Sequence, residues 1–347
     1  MSKKIIISLT LLVSIILSGC GTPATDTPAT DTPDTTPPPA TVTTNEDWDL
    51  MDIKAQEVTW TEGKSTGAIG RFYTTKIENP ATGIKIATYL LTPKTGSGPF
   101  KTVVIIPGTT NSGIETLSEQ KEQIQNTIDK GIAVVLFDID GRGNNEGTEN
   151  LNGFDAQDGL MAISLTVAKN PLVNKDQMGL ISLSYGVAMG SGMVARYANT
   201  QPFLWYMDWE GPVDRYGITG NCGENASTKN FKAQLKKSKS NLKAGDHLCS
   251  EDDFWSEREA VTFLAKVEIP YQRIQGEIDH GGNPDNSKSI TAVNAAINGI
   301  SPWVRLNSEE PNKTFDYDAP PTYIEGSTSI TKIPAYAAEL FELFPSI

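Results

Sequence analysis

The chain has 347 residues, 38% of them hydrophobic, enough for one large core or two smaller ones. Its 42 acidic against 29 basic residues give a formal net charge of −13, which argues against a nucleic-acid partner and against attraction to an anionic membrane surface. Acidity of this kind describes a well-hydrated surface and carries no substrate preference.

The first segment is an address. Lys3 and Lys4 precede an apolar run over residues 5–17, and L-S-G-C closes it at Cys20. The run and its ending resemble the lipobox of bacterial lipoproteins. That resemblance implies removal of residues 1–19, a lipid on the Cys20 thiol, and a mature protein tethered to a membrane outside the cytoplasm without a span of its own. An ordinary signal peptide cut nearby or an uncleaved anchor helix are the alternatives. Residues 20–47 are rich in Pro and Thr and nearly devoid of apolar side chains, so they read as an extended tether. The folded domain is expected over residues 48–347.

In an oxidising compartment, the two cysteines other than Cys20, Cys222 and Cys249, are candidates for a disulfide. Such a bridge is worth about 3.5 kcal/mol in the chain-entropy picture. Two free buried thiols are the other possibility. A metal centre is not expected, because only His247 accompanies this pair, and no cofactor is implied.

Residues 56–93 alternate polar and apolar with turn signals at Asn79-Pro80 and Thr82-Gly83, predicting an antiparallel opening to a sheet. Residues 102–106, T-V-V-I-I, form the continuous apolar run of a parallel strand covered on both faces. After P-G-T-T-N, Ser112 and Glu115 have capping-box spacing, and Ile114, Leu117, Ile124 and Ile128 mark one face of a helix ended by Gly131. A strand over 132–138 leads into I-D-G-R-G-N-N-E-G. A helix over about 156–169 stops at Asn170-Pro171 and feeds a strand at 178–183. Strand and helix alternating in this way predict a parallel α/β sheet with right-handed crossovers.

S-L-S-Y-G follows that strand and opens a segment of small residues with helical spacing. Ser184 thus sits at a strand-to-helix junction, the position of a nucleophile elbow, where a sharp turn exposes a serine hydroxyl above the sheet edge. The turn crowds the residues two before and two after the serine. Gly186 meets that demand, and Ser182 stands where glycine is usual. A strand at 203–207 ends in D-W-E-G-P. Residues 212–256 then break the alternation with a polar, lysine-rich stretch, which reads as a cap inserted over the C-terminal edge of the sheet. The alternation resumes with a strand at 271–275, a helix at 285–298, a strand at 303–306 and a last helix near 333–344.

Four loops in this order carry a family resemblance: P-G-T-T, D-G-R-G-N-N-E-G, S-L-S-Y-G and Q-G-E-I-D-H, which would follow the third, fourth, fifth and seventh strands of the family. From about residue 56 to its end the chain resembles the α/β-hydrolase fold, and in particular serine esterases and the prolyl-oligopeptidase-like and dienelactone-hydrolase-like members. The resemblance implies that Ser184 is a nucleophile, that the amides of Thr109 and Tyr185 form the oxyanion hole, and that Asp279 stands where the acid belongs. The chain departs from the family in one respect. No histidine occurs between Gly281 and Ile347, where the family places its base. A serine hydroxyl needs such a base to become a nucleophile at neutral pH.

Three readings follow. His280 is the base, oriented by Asp279 or by a carboxylate after the sixth strand, Asp208 or Glu210. Alternatively His247 swings in from the cap, or no base exists and the scaffold serves binding. Neighbouring side chains diverge in extended backbone, so pairing Asp279 with His280 requires a bend, for which G-G-N-P follows directly.

Other groups have plain explanations. D-I-D-G-R-G-N-N-E faintly suggests a calcium loop, but Arg142 occupies a ligand position, so a turn held by Asp140 and Arg142 is the better expectation. Lys232, Lys236, Lys237, Lys239 and Lys243 read as a solvated face of the cap. Trp205, Trp209 and Trp255 flank the expected site or pack the core. The combined expectation is a lipid-anchored, extracytoplasmic serine hydrolase acting on small carboxylic esters or, second, on short peptides.

Overall fold

The computed structural model describes residues 48, 50–63, 69–108, 111–219, 222, 247–280 and 287–345. All lie in the unit running from Thr41 to Ile347. The chain opens with three antiparallel strands, β1 (Thr61–Gly63), β2 (Arg71–Glu78) and β3 (Lys85–Thr92). It continues as β4 (Phe100–Ile106), α1 (Gly113–Glu119), α2 (Lys121–Asp129), β5 (Ala133–Phe137), α3 (Phe154–Ala168), β6 (Val173–Leu183), α4 (Gly186–Arg196) and β7 (Phe203–Trp209). Next come three short helices, α5 (Arg215–Thr219), α6 (Asp252–Ser256) and α7 (Ala260–Leu264). Then follow β8 (Tyr271–Ile274), α8 (Ser287–Asn298), β9 (Val304–Leu306), a 3-10 turn (Ser329–Lys332) and α9 (Ile333–Leu343).

The strands form one sheet in the order β1-β2-β3-β5-β4-β6-β7-β8-β9. Pairings from β5 onward in that order are parallel, while β3 meets β5 antiparallel. The short β1 precedes the family's first strand, so each loop singled out in the sequence follows a strand numbered one higher here.

The run T-V-V-I-I shows why the sheet must be covered twice. Val104 and Ile106 belong to one buried cluster with Leu160 and Met193 of α3 and α4. Val103 and Ile105 belong to the other, with Ile124 and Ile128 of α2 and Leu340 and Phe341 of α9. Successive strand side chains point to opposite faces, so an unbroken apolar strand needs helices on both sides, and each buried Val, Leu or Ile then contributes about 1.5–3 kcal/mol. The mostly parallel sheet with its helical layers is the α/β-hydrolase fold anticipated from the loops. Among the described residues, no helix is long and apolar enough to cross a membrane.

Two boundaries differ from the sequence reading. The single helix expected over 114–128 is two, because Gln120 leaves helical geometry (φ −104°, ψ 28°). That break lets Leu117 reach the same cluster as Ile124 and Ile128, while Ile114 stays 39% exposed. Strand β6 begins at Val173, five residues early by the apolar pattern, because its exposed N-terminal half is polar. Of the inserted segment, residues 220, 221 and 223–246 lie outside the described residues, as do Lys232, Lys236, Lys237, Lys239 and Lys243. The described ends hold α5 and α6, tied by the Cys222–Cys249 disulfide with Cα atoms 5.4 Å apart. Residues 1–47, including Cys20, also fall outside the described set.

Candidate active site

Strand β6 delivers Ser184 to the sheet edge, where its backbone turns sharply, with φ +51°. That left-handed conformation is costly for a residue with a side chain and persists because the surroundings leave no alternative. The Ser184 amide donates to the carbonyl of Trp209 on β7 at 2.8 Å, and the Ser184 carbonyl accepts from Val187 at 3.1 Å, which starts α4. The demand for small neighbours is physical. A Cβ on Gly186 would lie 2.9 Å from the Pro107 carbonyl oxygen, and one on Gly211 would overlap the Ser184 carbonyl. Ser182 fits where glycine is usual because it is fully buried and the Tyr206 hydroxyl donates to its Oγ at 3.0 Å.

His280 arrives from the loop after β8. Its Nε2 lies 2.9 Å from Ser184 Oγ, and its Nδ1 lies 3.2 Å from Glu210 Oε2. A carboxylate only accepts hydrogen bonds, so Nδ1 carries the proton in the neutral ring and the Nε2 lone pair faces the serine. The Trp209 ring supports the imidazole, with centroids 4.6 Å apart and planes inclined by 32°.

Glu210 directly follows β7, with φ +50°, which turns its side chain towards the imidazole. Its Oε2 also accepts the His280 amide at 2.8 Å, and Oε1 accepts the Gly276 amide at 2.8 Å and the Ser329 hydroxyl. Burial pushes the Glu210 carboxyl up. The hydrogen bonds from the His280 ring, Ser329 and the two amides outweigh burial and hold the group below the ordinary glutamate value. It is therefore an anion at neutral pH.

Asp279 is placed differently. Its Oδ1 is 3.5 Å from His280 Nδ1, and its Oδ2 is 2.5 Å from Lys288 Nζ. The bend anticipated at G-G-N-P falls in residues 281–286, outside the described residues. Asp208 does not reach His280. It sits inside β7 in register with Arg273, fully buried, with Arg273 Nη1 at 2.7 Å and the Tyr271 hydroxyl donating to it. His247 lies in the inserted segment, with Nδ1 2.7 Å from Glu251 Oε2 and its ring stacked 3.7 Å from that of Phe254.

Of the two expected oxyanion donors, Tyr185 follows the serine with its side chain buried and its carbonyl accepting from Asn152 Nδ2 at 2.8 Å. Thr109 lies outside the described residues, but the preceding Gly108 carbonyl accepts from Arg142 Nη1 at 2.8 Å. Arg142 is buried, paired with Glu149, and its Nη2 reaches Asn152 Oδ1 at 3.4 Å. Arg142 is thus a brace between the loop before Thr109 and the residue that holds Tyr185. Asp140 takes hydrogen bonds from Asn79 and Thr82 at 2.9 and 2.7 Å, as a structural turn requires.

Glu210, Asp279 and His280 each offer a ligand atom within 4.8 Å of one another. Those oxygens already accept from Gly276, His280 and Ser329 or pair with Lys288, so the cluster is filled by donors of the protein itself. The tryptophans separate as well. Trp205 is core, edge-on to Phe341 at 5.0 Å, and the indole of buried Trp255 donates to the Leu248 carbonyl at 2.9 Å. Only Trp209 stands beside the imidazole.

Two groups escaped the sequence reading. Ser329 is 119 residues from Glu210 and is fixed further by the Trp209 indole, which donates to its Oγ at 2.8 Å. No local pattern marks it. Lys288 opens α8 without any signature of its own.

No protein-family model matches the chain, and no curated protein sequence matches it. Solved structures do resemble it. An esterase of Pyrococcus furiosus superposes with a TM-score of 0.55 at 15% identity, over 84% of this chain and 99% of that one. An S-formylglutathione hydrolase of Agrobacterium tumefaciens gives 0.53 at 11%, over 83% and 98%. Est1E of Butyrivibrio proteoclasticus, solved with ferulic acid bound, gives 0.52 at 14%, over 78% and 98%. At such identities the likeness speaks for the architecture, and the architecture is that of the α/β-hydrolases.

Proposed function

We propose that the protein is a serine hydrolase acting on small carboxylic esters, with Ser184 as nucleophile, His280 as base and Glu210 as the orienting acid. The observation that carries this reading is the relay of Ser184 Oγ, His280 Nε2 at 2.9 Å, and Glu210 at 3.2 Å from His280 Nδ1. In this mechanism His280 takes the serine proton as Oγ attacks the ester carbonyl, and Glu210 stabilises the imidazolium that forms. The amides of Tyr185 and Thr109 receive the developing oxyanion. The imidazolium then gives its proton to the leaving alcohol. Water activated by the same imidazole releases the acid and restores Ser184. The esterase and hydrolase neighbours support an ester as the first reading, while a dipeptidyl peptidase 4 of Porphyromonas gingivalis superposes as well, with a TM-score of 0.51 at 13% identity, and keeps a peptide as the second. Asp279 belongs to the site as a second carboxylate beside the imidazole.

We further propose that lipid on Cys20 anchors the enzyme outside the cytoplasm and that residues 21–47 hold the domain off the membrane. The disulfide between Cys222 and Cys249 suits such a compartment. Detection of an acylated Cys20 peptide by mass spectrometry checks the anchor.

The deciding experiment is labelling by a fluorophosphonate probe, beside Ser184→Ala and His280→Ala. Labelling that needs both residues is expected. Labelling kept in His280→Ala would move the base elsewhere, and an unlabelled wild type would turn the reading towards a binding protein on a hydrolase scaffold.

A further inference from the structure

Beside the imidazole stands a charged pair that the relay does not use. His280 Nδ1 carries one proton, yet two carboxylates approach it, Glu210 at 3.2 Å and Asp279 at 3.5 Å. Both acids are buried, with side chains 1% and 4% exposed. Asp279 is held on its other oxygen by Lys288 Nζ at 2.5 Å, with Gln275 Nε2 at 3.4 Å. Glu210, in contrast, has only uncharged donors besides the ring: two amides and a hydroxyl.

We propose that Lys288 is a positioning residue: by pairing with Asp279 it cancels the second negative charge beside His280 and leaves Glu210 alone to orient the ring. This deepens the hydrolase reading and rests on it for its consequence in catalysis. The physical reason is direct. An anion within about 4–6 Å favours the protonated form of a neighbouring base. A second uncompensated carboxylate would favour the imidazolium, whose two N–H groups leave no lone pair for the serine proton. A cation on the far oxygen of Asp279 turns one of those anions into a neutral pair.

Among the described residues, every charged or titratable group facing the imidazole is accounted for. Glu210 comes from the end of β7, Asp279 from the loop of His280 itself, and Lys288 from the first turn of α8. Ser184 lies at the elbow. Arg273 of β8 stands behind, reaching Asp279 through Gln275, whose Oε1 is 3.1 Å from Arg273 Nη2. The charge of Arg273 is already matched by Asp208 at 2.7 Å. Among the described residues, Lys288 is thus the cation paired with an acid at the ring.

The test is the pH profile of ester hydrolysis for Lys288→Met, Lys288→Arg and Lys288→Met combined with Asp279→Asn. In Lys288→Met the acid limb should move upward by about one pH unit, a loss of about tenfold on that limb, while the alkaline plateau stays within about twofold. Lys288→Arg and the double variant should return the limb to the wild-type position. A merely structural lysine would lower the plateau and leave the limb in place.

A second readout does not require activity. The chain has two histidines, so in a His247→Asn background the single imidazole resonance can be followed by NMR, and its midpoint should rise in Lys288→Met by the same amount. An unmoved limb and an unmoved resonance would overturn the proposal. Failure of the hydrolase reading has a different mark: an unlabelled wild type in which the resonance still moves.

Discussion

Replacing Glu210 by Gln separates the two carboxylates at the imidazole. Both oxygens of Glu210 face donors: Oε1 meets the Gly276 amide and the Ser329 hydroxyl, and Oε2 meets the His280 amide and ring. A glutamine amide cannot satisfy both sides. If its NH2 lies at the Oε2 position, it donates to Nδ1, forces the proton onto Nε2, and points N–H instead of a lone pair at Ser184. If it lies at the Oε1 position, it opposes the Gly276 N–H and leaves a buried donor without an acceptor, a cost of about 1–3 kcal/mol. The first outcome removes the base by tautomer, for which a loss of about 10³–10⁴ in kcat is expected, or about 4–5.5 kcal/mol of transition-state stabilisation. Asp279→Asn, whose charge is already matched by Lys288, should cost less than about tenfold by the same scale. The assay is kcat/KM on a small chromogenic ester across pH, with thermal melts to account for the folding cost. A larger loss in Asp279→Asn than in Glu210→Gln would refute the assignment of the acid to Glu210.

Further expectations follow from the same geometry. Ser184→Ala should lower kcat by about 10⁶ without shifting the melting temperature, read by steady-state rates and calorimetry. Ser329→Ala removes an acceptor from the Trp209 indole and a donor from Glu210, and should cost about 1–3 kcal/mol in denaturant titration. It should also change the pH dependence of stability. The folded-state carboxyl of Glu210 lies below its ordinary value, so its contribution is complete above that ordinary value and is lost as pH falls through the folded one; without Ser329 the contribution should be smaller and its loss should be complete at a higher pH. Gly186→Ala brings a Cβ to 2.9 Å from the Pro107 carbonyl oxygen and should cost about 1–3 kcal/mol, seen as a lowered melting temperature. Cys222→Ser with Cys249→Ser opens a link spanning 27 residues and should cost about 3.5 kcal/mol, matched by adding reductant to the wild type.

Much of this architecture is local in origin and could be read from the chain. T-V-V-I-I requires cover on both faces and receives it. Ser112 and Glu115 close both halves of the capping box anticipated for them, because a cap depends on residues three apart. The elbow was visible because its apolar strand, its serine and its small-residue helix are contiguous. The proposed acid was only partly legible. Asp208, Glu210 and Asp279 all precede or neighbour the right loops, and sequence spacing alone ranks none of them. What separates them is non-local: Arg273 holds Asp208 inside the sheet, Lys288 holds Asp279, and the left-handed turn at Glu210 aims that side chain at the ring. Ser329 could not be found at all, since nothing within reach of it in sequence hints at a partner 119 residues away.

On the proposed reading, in which His280 is the base, its position has a structural logic. In the family the base descends from the loop after the last strand, which here is β9. That part of the chain still approaches the site, but it ends in Ser329, which donates to Glu210 from below, while the segment just before it pairs with the loop after β8 through Gly276 and Ile324. The same loop is pinned by the Gly276 and His280 amides, both bonded to Glu210. One carboxylate therefore fixes the backbone on both sides of Asp279 and receives the ring as well. A histidine on a loop anchored in this way needs no support from β9, because the residue that orients the imidazole also positions its Cα. If that is how the loop is held, truncating Glu210 to Ala should release the backbone together with the ring. Amide exchange at Gly276 and at position 280 should then rise in Glu210→Ala and stay at the wild-type level in His280→Ala, while the amides of Glu277 and Ile278 keep their bonds to Ile324 and Gly326. Equal exchange in both variants would show that the loop is held by something other than this carboxylate.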